Sequence, residues 1–125
     1  MLRHTLTSGL LLLGLAGPAL ANGKPDAEAC RAMQATIAPR QAEIAKLTEQ
    51  RAASAIAAED AGVNWEDAEI HRLVSPALAA TADRERAAYD AAKQQFARDE
   101  LALQDAVRSF NADVAIFNAR CSSKG

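Results

Sequence analysis

Cys30 and Cys121 are the residues of this chain whose chemistry is most readily specified. Two thiols, even in number and placed near the two ends of the expected mature protein, suit a disulfide in an oxidising compartment. Closing a loop of about 90 residues would stabilise the fold by roughly 4–5 kcal/mol through lost unfolded-state entropy. They form neither a C-x-x-C redox pair nor a C-x-x-C-H haem site. A second group is acidic: Glu59, Asp60, Glu66, Asp67 and Glu69, followed by His71. Asp67 and His71 stand four apart, on one helical face, and form a weak candidate pair for a divalent ion. A tight site needs three or four ligands, and carboxylates in a first helical turn complement its dipole without any metal. No cofactor is therefore expected.

The remaining catalytic inventory is thin. Beyond His4 the only histidine is His71, and there is no G-x-S-x-G, H-E-x-x-H or glycine-rich phosphate loop. An enzyme is not expected. More conspicuous is a cluster of large apolar residues, Trp65, Ile70, Leu73, Val74 and Leu78, within fourteen positions. Either these pack on themselves and on the alanine-rich arms, or they form a partner-binding surface.

The beginning of the chain reads as an export signal. Arg3 supplies the positive region, Leu10 to Leu15 the apolar run, and Ala19-Leu20-Ala21 a small-x-small cleavage pattern. The apolar run falls short of the roughly 20 residues that span a bilayer. Residues 1–21 are thus expected to be removed after Sec-type export, leaving 22–125 as one domain in the bacterial periplasm or outside the cell, with no membrane span. Losing Arg3 leaves thirteen basic against sixteen acidic side chains, a net charge of −3. That charge argues against nucleic acid or an anionic membrane as partner.

The elements that must position these groups are helices. Hydrophobic residues make up 50% of the chain, but alanine inflates the figure. Alanine favours helix strongly and buries little area, so helix forms easily and a core with difficulty. A first helix is expected from Pro25 and Asp26, with an apolar face of Cys30, Met33, Ile37, Ile44 and Leu47. Pro39 should kink or divide it, and Ala61-Gly62 should end it. Asn64 could then cap a short helix with Glu66 and Asp67 in its first turn. Ser75-Pro76 is a strong start signal for a last helix reaching about Arg120. That helix carries Tyr89, Phe96, Leu103, Phe110 and Phe117 at intervals of seven, with Val107, Val114 and Cys121 following the last three at +4. Such a stripe suits a long antiparallel partner helix, as in a coiled coil.

The register follows from the cysteines. In an antiparallel pair, opposing positions keep a nearly constant sum. Pairing Cys30 with Cys121 sets Ile37 near Val114, Ile44 near Val107 and Arg51 near Glu100, and puts the turn between residues 75 and 76. The expected fold is all-α: a long antiparallel helical hairpin clamped by a terminal disulfide, with arms at about 26–74 and 76–120 and a break at 61–65. The alternative is a compact three-helix bundle in which residues 66–74 or more fold back on the pair.

Three functional classes remain. The first is an exported, non-enzymatic protein-binding module of chaperone-like, adaptor or inhibitor/immunity type, using residues 63–78. The second is a structural envelope protein that pairs with itself as a homodimer, two hairpins making a four-helix bundle. The third is weak metal binding through Asp67 and His71.

Overall fold

The computed structural model describes residues 26–122. The expected export signal at 1–21 and the loose leader at 22–25 lie outside the described residues. Within them the chain forms two helices, α1 (Ala27–Ile70) and α2 (Pro76–Cys121), packed against each other as an antiparallel hairpin. At about 1.5 Å per residue each arm is nearly 70 Å long. The three-helix alternative is not formed: residues 66–70 continue α1, and residues 71–74 make the turn.

Local chemistry explains both helix starts. Asp26 Oδ1 accepts from the Glu28 N–H at 3.0 Å, and Glu28 itself complements the positive end of α1. Ser75 Oγ accepts from the Leu78 N–H at 3.2 Å, with Pro76 in the first turn, where its missing N–H costs nothing. Between them the chain closes tightly, with the Arg72 N–H donating to the Glu69 carbonyl at 3.1 Å and the Val74 N–H to that of His71 at 3.0 Å.

Two local expectations need correction. No break occurs at 61–65: α1 runs unbroken through Ala61 and Gly62, and Asn64 caps nothing. The reason is tertiary. A Cβ at Gly62 would stand 3.2 Å from Tyr89 Cε2, so the glycine makes room for an aromatic ring from α2. Pro39 also lies inside α1 without dividing it. Pro39 and Ala35 are both exposed, so the Ala35 carbonyl left without an N–H partner lies where water can satisfy it.

The arms meet along a seam. On α1 it runs Cys30, Ile37, Ile44, Arg51, Ala58 and Trp65, joined by Met33, Arg40, Leu47, Ser54, Ala61 and Ala68, and it is continued by Arg72 in the turn; on α2 it runs Ala82, Tyr89, Phe96, Leu103, Phe110 and Phe117. Every one of these side chains is at least partly covered. Among the described residues only Ala82 and Ser54 are buried outright, because two cylinders in contact shield one stripe each and enclose little.

Cross-arm ties set the register from end to end. The Cys30–Cys121 disulfide joins Cα atoms 5.7 Å apart. Arg40 Nη1 lies 3.2 Å from Asp113 Oδ2, close enough to pair by charge but without hydrogen-bond alignment. Arg51 Nε donates to Glu100 Oε2 at 2.6 Å, the pairing that the cysteine register requires. Arg72 Nη1 meets Asp83 Oδ1 at 2.8 Å beside the turn.

Candidate functional site

The turn end of the hairpin is where apolar side chains and solvent meet. α1 stops at Ile70, the chain reverses through 71–74, and Ser75 starts α2. A reversal this tight leaves its outer side chains no neighbouring arm to cover them. Leu73 is 96% exposed, Ile70 75% and Val74 71%, and Leu78 at 37% is the most sheltered of the four. These four candidates therefore form an open apolar tip rather than packing on themselves.

Trp65, the fifth candidate, is not part of that tip. It sits in the seam, stacked on Tyr89 with ring centroids 5.6 Å apart and planes inclined by 17°. Its indole Nε1 is buried and has no hydrogen-bond partner. Arg86 approaches the same indole at 6.0 Å, and Lys93 Nζ lies 4.3 Å from the Tyr89 centroid. The Trp65–Tyr89 stack fills the distal seam, where the facing side chains Ala58, Ala61 and Gly62 are too small to do so.

Below the tip, Arg72 is the organising residue. Its Nε donates to both Glu69 oxygens, at 2.8 and 2.9 Å, and its Nη1 pairs with Asp83 on α2. The Arg72 guanidinium holds the Glu69 carboxyl below its usual range, chiefly through the hydrogen bond; burial opposes this, and the nearby Trp65 indole helps slightly. Glu69 and Asp83 in turn push the Arg72 guanidinium to stay charged. The last turn of α1 is thereby tied to the first turns of α2, so Leu73 and Val74 are presented from a fastened reversal.

The metal candidates do not gain a third partner. Asp67 is exposed on α1, and His71 is exposed just past its end, in the turn. Among the described residues no three His, Cys, Asp or Glu side chains group to hold an ion.

Two shallow grooves flank the apolar half of the seam. One, of about 360 Å³, is lined by Arg40, Ile44, Leu47, Ala102, Ala106 and Ser109 among others; the second, of about 220 Å³, includes Ile37, Val114 and Phe117. Ile37 and Val114 thus share one groove wall, as the register expects, whereas Val107 stays exposed. Both grooves are open troughs of mixed lining: Arg40, Glu43, Asp105 and Ser109 share the first with aliphatic side chains, and Gln34 and Gln41 edge the second.

Sequence reasoning missed Ile56 and Val63, which are 60% and 57% exposed on α1. The signal that finds them is the heptad phase of α1: with Arg51, Ala58 and Trp65 in the seam, positions 56, 63 and 70 fall on the opposite face.

No protein-family description, curated protein or solved structure matches this chain. Among the described residues no helix is long and apolar enough to cross a membrane.

Proposed function

We propose that this protein is an exported, non-enzymatic protein-binding module that contacts its partner through the turn end of the hairpin. The observation that carries this reading is the open tip, with Leu73, Ile70 and Val74 each more than 70% exposed on a reversal fastened by Arg72. Monomeric proteins seldom leave clustered large side chains in water unless something covers them. A rigid mount favours the same reading, since pre-ordered apolar anchors lose less entropy on binding than mobile ones. The disulfide fits an oxidising compartment, the periplasm or the cell exterior, and the leader sequence fits delivery there. Chaperone-like, adaptor and inhibitor/immunity roles are the forms such a module takes.

A photo-crosslinking residue placed at Leu73, compared with one at Ala42 on the outer face of the other half of α1, tests it. The reading expects a discrete adduct with a different protein from position 73 and none from position 42. Adducts of equal yield from both positions, or only with other copies of this chain, would contradict it.

Self-association is the second reading, and one observation favours it: a two-helix seam that buries only Ala82 and Ser54 leaves much area for a second hairpin. Light scattering separates the two, because a monomer at all concentrations removes the homodimer.

A further inference from the structure

The outer face of α1 changes character half-way along. The positions opposite the seam are Glu28, Ala35, Ala42 and Glu49 in the half near the disulfide, and Ile56, Val63 and Ile70 in the half near the turn. All seven are exposed. Helix propensity does not explain the second set, because β-branched residues are poorer helix formers than the alanine that this chain uses freely elsewhere. Packing within the hairpin does not explain it either, since these side chains point away from α2. The matching face of α2 (Ala80, Ala87, Gln94, Leu101, Arg108, Ala115) carries a single large apolar residue. Ile56, Val63 and Ile70 thus make a ridge about 21 Å long, at 1.5 Å per residue, that runs into Leu73 and Val74 at the tip.

The flanks of the ridge are acidic. Glu59, Asp60, Glu66 and Asp67 stand beside it, all exposed, and none pairs with a cation among the described residues. From residue 52 to residue 70 the chain holds five acidic side chains and no Lys or Arg, whereas the rest of both helices mixes the two signs. A symmetric contact between two copies through this face would set acidic flank against acidic flank, which disfavours a second copy as occupant.

We infer that this ridge docks an amphipathic helix of another protein whose apolar stripe is flanked by Lys and Arg. The inference rests on the binding-module reading and adds the chemistry of the partner. Apolar residues at i, i+3, i+4 and i+7 of the incoming helix cover Ile56, Val63, Ile70 and the tip, and its cations meet the four unpaired carboxylates.

The test uses the exported, oxidised protein and two labelled peptides, each an amphipathic helix of about five turns with the same leucine stripe, one flanked by lysine and its twin by glutamate. Anisotropy titrations are expected to show the lysine peptide binding at least about tenfold more tightly than the twin, with the preference shrinking as salt screens the flanks. Ile56→Ser/Val63→Ser should weaken the lysine peptide about tenfold or more at unchanged helicity, as loss of two apolar contacts would. Glu59→Gln/Asp60→Asn/Glu66→Gln/Asp67→Asn should remove the preference between peptides. Equal binding of both peptides overturns the cationic partner; if that binding is still lost in Leu73→Ser/Val74→Ser, the tip reading stands without it. Failure of either peptide to bind, full binding in Ile56→Ser/Val63→Ser, or a dimer that this variant dissociates also overturns the inference.

Discussion

Arg51 Nε donates to Glu100 Oε2 across the seam at 2.6 Å, in the register that the distant Cys30–Cys121 bond demands. Arg51 occupies a position that Ile37 and Ile44 fill in the preceding turns, so a charge interrupts the apolar stripe on α1 just where Glu100 interrupts it on α2. The guanidinium also lies 5.1 Å from the Phe96 ring centroid, and Gln104 Nε2 donates to the other Glu100 oxygen at 3.1 Å. A paired polar layer inside an apolar seam penalises slipped alignments, because a slip separates the charges and faces them with aliphatic carbon.

Charge exchange tests that role. Arg51→Glu alone sets two carboxylates against each other, and Glu100→Arg sets two guanidiniums together. Each single variant should unfold at a lower urea concentration than the parent, and Arg51→Glu/Glu100→Arg should recover part of the loss. Losses that simply add in the double variant would deny the direct pairing.

Acid sensitivity should follow from the same contacts. Glu100 is held below its ordinary value of 4.5, first by the Arg51 hydrogen bond and then by that of Gln104; Asp90 is lowered chiefly by Lys93, and Glu69 chiefly by Arg72. A carboxyl with a lower pKa folded than unfolded binds fewer protons in the native state. Its contribution is therefore complete above the unfolded value and is lost as pH falls through the folded one. The urea midpoint should hold from neutrality to about pH 5 and decline below the ordinary carboxylate range. Glu100→Gln should start lower at neutral pH and decline less on acidification. A midpoint that rises on acidification would contradict the assignment.

The disulfide should dominate stability. It closes a separation of 91 residues, for which chain entropy assigns roughly 4–5 kcal/mol. Against a seam that buries only Ala82 and Ser54 outright, that is a large share of the 5–15 kcal/mol or so of an ordinary domain. Cys30→Ser/Cys121→Ser, or reductant, should lower the thermal midpoint steeply, with α1 and α2 fraying first at the opened end. An unchanged midpoint by circular dichroism would show that the arms hold without the clamp.

At Gly62 two effects compete. Alanine gains about 1 kcal/mol of helix propensity, but its Cβ would press on Tyr89 at 3.2 Å. Gly62→Ala should therefore be near neutral, with a small shift of the ring. Gly62→Leu cannot be accommodated without displacing Tyr89 from Trp65 and should cost about 1–3 kcal/mol, as overpacking does. Trp65 fluorescence reports the displacement directly, and a spectrum unchanged in Gly62→Leu would place Tyr89 elsewhere.

The overall hairpin was legible because its signals are local or arithmetic. The Ser75-Pro76 start needs only its own turn, and the cysteine sum carries Arg51 to Glu100. Gly62 reads as a helix stop in sequence because the ring that requires it arrives from Tyr89 on the other arm, which propensity cannot register. Nearness in sequence groups Trp65 with the tip, whereas the fold puts it in the seam against Tyr89. The apolar stripe of α1 fades at Arg51, Ser54 and Ala58, so its phase had to be carried across polar and small residues before Trp65 fell into the seam and Ile56, Val63 and Ile70 onto the outer face.

The central claim, that the turn end of the hairpin engages another protein, is tested most directly by native mass measurement of tagged protein recovered from its own host after export, parent beside Leu73→Ser/Val74→Ser. The account predicts a stoichiometric complex with a different protein for the parent, lost in the variant while helicity and the disulfide are retained. A parent recovered alone or as a homodimer, or a complex that survives both substitutions, would contradict it.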